Sequence, residues 1–149
     1  MISYFHKQKA GSFREKITII SRQNDEGSKM EYQKILHEII FEHIRKELSR
    51  DYKEIGINKE GEKNIAYKGQ YPHMILGNHG MVVALLEIET DESITAERAK
   101  RWKELSGLGV KLIIMVPKNM KVKTTELIWN KSLMDKVSLG TYEIVIKMP

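Results

Sequence analysis

The sequence predicts an α/β fold, a mixed central sheet flanked by helices in the order α-β-β-β-α-β-α-β. Three observations carry this. The segment from Lys29 to Ser49 repeats apolar residues at three- and four-residue steps, the signature of a helix with one buried face. Tyr71 to Leu76 and Met81 to Glu89 are apolar runs joined by Gly77-Asn78-His79-Gly80, a strong hairpin signal. Two later apolar runs, Val110 to Val116 and Thr141 to Met148, each follow a helical segment. Helices between strands imply crossover connections and a parallel portion of the sheet.

The helix from Lys29 is preceded by Ser28-Lys29-Met30-Glu31, which reads as a capping box. Its apolar stripe is Tyr32, Ile35, Leu36, Ile39, Ile40, Ile44 and Leu48. Residues 51–70 are polar and glycine-punctuated. Lys53 to Ile57 has strand character there, and Asn64 to Lys68 reads as a strand or a loop. After the hairpin, Thr95 caps a helix over Ala96 to Ser106, with Ala99 and Trp102 on its inner face. Gly107 and Gly109 stop that helix. Val110 to Val116 is a buried strand ended by Pro117, and Thr124 or Thr125 opens a third helix reaching Val137. Trp129, on that helix, reads as interface or surface. The division is residues 1–28, an N-terminal arm or extra strand around Ile17, Ile19 and Ile20, and residues 29–149, a single α/β domain.

Composition narrows the function classes. A chain of 149 residues is about one domain and folds without a metal or disulfide. The absence of cysteine excludes a disulfide framework, cysteine-based zinc sites and cysteine catalysis, and fits a reducing compartment. No apolar run reaches the roughly 20 residues of a membrane span, and the first residues lack the apolar core of a secretory signal. The expected address is the cytoplasm, with no membrane partner. A net charge of +5 favours an anionic partner, although an ordinary basic surface has the same value.

Several chemistries are absent. The sequence has no phosphate loop GxxxxGK[ST], no GxGxxG, no HExxH and no GxSxG elbow. His37 and His43 are six apart and fall on different helix faces. What remains is Glu87-Ile88-Glu89 at the end of an apolar strand. Alternation places Leu85, Glu87 and Glu89 on one face of the sheet and Leu86 and Ile88 on the other. Two carboxylates so close repel unless a cation lies between them. Oxygen ligands of this kind suit Mg²⁺ or Mn²⁺. The same residues also suit an ion-pair cluster with Arg98, Lys100 or Arg101 on the next helix.

The order of these elements, with Pro72-His73, the hairpin, Glu87-Ile88-Glu89 and a basic helix, resembles the PD-(D/E)xK nuclease superfamily, the restriction-endonuclease-like fold. The stretch EIETDESITAERAKRWKELSGLGVKLIIMVPK is also similar to members of that superfamily with an acidic EVET strand and a Trp-Lys on the next helix. The resemblance spans roughly Met30 to Val116. It implies a Mg²⁺- or Mn²⁺-dependent nuclease-like protein acting on or binding nucleic acid, DNA rather than RNA. The family's metal-binding aspartate falls on His73, its first acid on Glu87 and its lysine on Glu89, an incomplete motif. The implied metal set is therefore Glu87, Glu89 and His73. The implied catalytic set is Glu87, Glu89 and Lys103, with Lys103 standing in for the family's lysine. Arg98, Lys100 and Arg101 are the implied nucleic-acid-binding residues, and Glu38 and Glu42 on the first helix the supporting carboxylates. Glu87→Ala is then expected to abolish cleavage and leave the fold intact.

Two further readings stay open. One is a non-catalytic nucleic-acid-binding module. The other is an oligomeric scaffold, a homodimer in the simplest case, that exchanges its N-terminal strand. Register is open as well. A two-residue Asn78-His79 turn would set His73 against Ala84 and turn it away from Glu87, whereas a bulge would restore a common face.

Overall fold

A computed structural model of the chain describes residues 2–8, 14–20 and 29–147. The Ser28 cap, the Gln23–Gly27 loop and the basic side chains of the N-terminal arm lie outside the described residues. Among these, seven strands form one mixed sheet. In chain order the elements are β1 (Ile2–Gln8), β2 (Arg14–Ile20), α1 (Lys29–Leu48), β3 (Glu54–Ile57), β4 (Met74–Asn78) and β5 (Met81–Ile88). Then follow α2 (Ala96–Ser106), β6 (Lys111–Pro117), a 3₁₀ turn (Lys118–Met120), α3 (Lys121–Asn130) and β7 (Val137–Lys147). The strands lie in the order β1-β2-β7-β6-β5-β4-β3.

β5 pairs antiparallel with β4 and parallel with β6, and β6 pairs parallel with β7. The two crossovers place α2 and α3 on one side of the sheet, whereas α1 covers the other. Two cores result. Ile40, Phe41, Ile44 and Leu48 of α1 pack on Met74, Leu76, Leu86 and Ile88. Trp102 and Leu105 of α2 and Ile128 of α3 pack on Ile75, Leu85, Leu112 and Ile114. Leu85 and Leu86 fall in opposite cores, as strand alternation requires.

Several local readings change. Ile35 is half exposed, and Phe41 takes a place in the buried face of α1. The third helix begins at Lys121 rather than at Thr124 or Thr125. Both threonine hydroxyls donate back to carbonyls one turn earlier, Met120 and Lys121, so they sit inside the helix instead of capping it. The helix stops at Asn130, before Ser132 with its left-handed φ of 57°. Asn64 to Lys68 forms no strand, only a single bridge from Tyr67 to Gln70. Thr95 does cap α2, its side chain accepting from the Arg98 N–H at 3.1 Å.

The hairpin decides the register. The turn residues are His79 and Gly80, both left-handed, at φ 55° and 76°, as a tight hairpin turn needs. Asn78 then faces Met81 and Gly77 faces Val82, but Leu76 faces Ala84. Val83 is an extra residue, a β-bulge. Beyond it Met74 faces Leu86, so the chain at His73 continues opposite Glu87. No helix among the described residues is long and apolar enough to cross a membrane.

Candidate functional site

At the end of β5 the two carboxylates are fully enclosed. Glu87 and Glu89 are each 0% exposed, and His73 is 2% exposed. The bulge brings all three to one place, each offering a ligand atom within 4.8 Å of the others. Glu87 is met from α2 by Arg101, whose Nη2 donates to Oε1 at 2.9 Å and to the Tyr71 carbonyl at 2.7 Å. Glu89 is met by Arg98 Nε at 2.8 Å and by the Ser93 hydroxyl at 2.7 Å. The Tyr142 hydroxyl of β7 donates to the Glu89 carbonyl at 2.6 Å. Arg98 and Arg101 are three apart on the helix, and that spacing aims both guanidiniums at the strand.

One carboxylate comes from the loop between β3 and β4. Glu60 accepts from Arg98 Nη1 at 2.9 Å and Nη2 at 2.7 Å, and its Oε2 lies 2.8 Å from His73 Nε2. Glu60, Ser93 and Tyr142 carry no local motif; their only signal is placement by the folded chain.

His73 sits between two demands. Its Nδ1 lies 2.9 Å from the Ile88 N–H and 3.0 Å from Glu87 Oε2. One ring nitrogen serves only one of these at a time. A bare Nδ1 accepts from Ile88, and Glu87 Oε2 is then a buried oxygen with no hydrogen-bond partner. A protonated Nδ1 must give up Ile88 and donate to Glu87 instead. Burial opposes the imidazolium, but Glu60 and Glu87 outweigh it and push the His73 pKa up to about 9. Burial also works against ionised Glu87, yet His73 and Arg101 hold its carboxyl below the usual range. Glu89 goes the other way: burial and the Glu87 charge raise it despite Arg98.

The three carboxylates and two guanidiniums leave one negative charge uncompensated when His73 is neutral. The protonated ring offsets that charge, so a divalent cation would have to displace the His73 proton. The donor set is one imidazole nitrogen and two carboxylates, suited to Mn²⁺ more than Mg²⁺. His73, Glu87 and Glu89 are the residues that would hold such an ion. Ligation at Nδ1 would displace the Ile88 hydrogen bond.

The remaining candidates lie apart from this cluster. Among the described residues no hydrogen bond or ion pair joins Lys103 to it, and Lys103 is exposed. Lys100 pairs with Glu97 at 3.6 Å on the outer face of α2. Glu38 pairs with Lys59 and Glu42 with Arg45, both at the surface of α1. The expectation that Glu87→Ala spares the fold treated Glu87 as a solvated end-of-strand charge. Its complete burial and its contact with Arg101 contradict that premise. No protein-family model, no curated protein and no solved structure matches this chain.

Proposed function

We propose that this chain is a divalent-metal-dependent, nuclease-like protein acting on DNA, with His73, Glu87 and Glu89 as the metal ligands. The observation that carries the reading is Glu87 Oε2. It is buried inside a set of three ligand atoms, and once an ion displaces the His73 proton it has no hydrogen-bond partner in the protein. Leaving such an oxygen unpaired costs roughly 1–3 kcal/mol, more for a charged group, and a cation removes that cost. The chain order supports the restriction-endonuclease-like assignment. A helix is followed by three strands, a helix and a parallel strand, with His73 after Pro72 before the second strand and Glu87 at the end of the third. A bound divalent ion would supply an activated water and offset charge on a phosphate. Arg98 and Arg101 hold the two carboxylates in place, and the exposed Lys100 and Lys103 offer contacts for a phosphate backbone.

The test is Mn²⁺ titration by calorimetry of the wild type and Glu87→Gln, with plasmid cleavage followed alongside. Binding in the wild type and its loss in Glu87→Gln are expected. His73→Asp, which adds a carboxylate to the set, should tighten Mg²⁺ binding. A wild type that takes up no Mn²⁺ ends this reading.

A second reading rests on the same two arginines. Each already contacts a carboxylate, so the cluster also serves as a closed, metal-free ion-pair core. The chain is then a non-catalytic DNA-binding or oligomeric scaffold protein, and the same titration separates the two.

A further inference from the structure

The loop between β3 and β4 is built around one buried amide. Asn58 is 0% exposed. Its Nδ2 donates to the Ile65 carbonyl at 2.7 Å and the Pro72 carbonyl at 2.9 Å. Its Oδ1 accepts from the Asn64 N–H at 2.8 Å and the Ile65 N–H at 2.7 Å. Its own N–H donates to the His73 carbonyl at 2.9 Å. Every donor and acceptor position of that side chain is used. Asn58 thus ties the start and the middle of the loop to the residue pair Pro72-His73 at its end.

Within the loop, Lys59 to Glu62 closes a tight turn. The Glu62 N–H donates to the Lys59 carbonyl at 2.9 Å, and the Lys59 N–H to Glu62 Oε2 at 3.1 Å. Gly61 adopts a left-handed φ of 79°, a conformation that suits glycine. The turn presents Glu60 to the outer nitrogen of His73, 2.8 Å away. Arg98 grips the same carboxylate through both terminal nitrogens and so fixes its orientation. The inner nitrogen, Nδ1, accepts from the Ile88 N–H at 2.9 Å and lies 3.0 Å from Glu87 Oε2, with Glu89 beside it.

A histidine whose outer N–H is held by a carboxylate keeps its inner lone pair directed at a ligand site, and such outer partners set both tautomer and ring angle. We infer that Glu60 is the positioning residue of His73: it holds the proton on Nε2 and leaves Nδ1 bare, to accept from the Ile88 N–H and, once that bond is given up, to serve a ligand beside the Glu87–Glu89 pair. The metal part of this inference rests on the proposed function, but the tautomer part does not.

The experiment uses the full chain labelled with ¹⁵N. Imidazole nitrogen shifts of His73 are followed to the alkaline limit without metal, and Mn²⁺ affinity is measured by calorimetry. The wild type should show the proton on Nε2. Glu60→Ala should lose that preference and bind Mn²⁺ roughly 10- to 100-fold more weakly. Glu60→Gln, whose carbonyl can still accept from Nε2–H, should keep the tautomer and recover most of the affinity. A wild-type proton on Nδ1, or ring shifts in Glu60→Ala identical to those of the wild type, would overturn the inference. Glu60 is half exposed on a loop, so its replacement leaves the cores intact. If the wild type binds no Mn²⁺, the metal reading falls while the ring shifts still decide the role of Glu60.

Discussion

His73 is the residue on which most of the site's behaviour turns. Its pKa rises on folding from the ordinary 6.5 to about 9. Stabilisation of this sign is fully present below the unfolded value and is lost as pH rises through the folded one. The metal-free protein should therefore lose up to about 3 kcal/mol between pH 6.5 and 9. Urea unfolding across that window checks this, with His73→Gln as the comparison that should stay nearly flat. A wild type as flat as the variant would mean that the ring is not protonated at neutral pH. Metal affinity should move the opposite way and strengthen as pH rises, because an ion must displace the proton. Arg98 gives a second test. Arg98→Met strands Glu89 in the interior and should cost about 3 kcal/mol in denaturant melts. Arg98→Met with Glu89→Leu should recover most of it, because the stranded charge is gone. Failure of the double variant to recover would mean that packing, not charge, sets the loss.

At the scale of elements, the β3–β4 loop and the β4–β5 hairpin do the placing. Asn58→Ala removes four side-chain hydrogen bonds of a buried amide and should destabilise the chain by about 3 kcal/mol. Amide exchange at Asn64 and Ile65 should quicken more than at Leu85 or Leu86. Uniform quickening would show that the loop has no separate opening. In the hairpin, Gly77 approaches the partner strand closely. A Cβ there would lie 2.7 Å from the Met81 carbonyl oxygen. Gly77→Ala must therefore shift backbone at the bulge, and thermal melts should fall by several degrees. These two elements also mark where the sequence was legible. The apolar runs gave β5 and β6 and their pairing, because buried strands need continuous apolar residues. Glu87 and Glu89 stood out because charge ends such a run. The bulge at Val83 left no mark, since β-branched residues suit either register. Glu60 was hidden for another reason. It meets His73 across a thirteen-residue separation that Asn58's hydrogen bonds and the pairing of β3 with β4 close.

For the molecule as a whole, the net charge of +5 is unchanged by the interior ion pairs, but it does not say which cations face outward. Arg98 and Arg101 spend their charge on interior carboxylates, leaving Lys100 and Lys103 exposed on α2. Lys100→Ala with Lys103→Ala should flatten the salt dependence of duplex binding by a log–log slope of about 2, near 0.9 per lost phosphate contact. The melting temperature should not move. An unchanged slope, or no duplex binding at all, would count against the proposed DNA contacts of α2. The sheet has one more consequence. β2 lies parallel to β7, with Arg14 paired to Thr141 and Ile20 to Lys147. A ribosome adds roughly 5–20 residues each second, so the hairpin of β1 and β2 emerges about ten seconds before its partner strand exists. During that interval it is an unclaimed sheet edge beside a nascent chain. The β1–β2 hairpin is made well before β7, and β7 is the strand that joins it to the rest of the sheet.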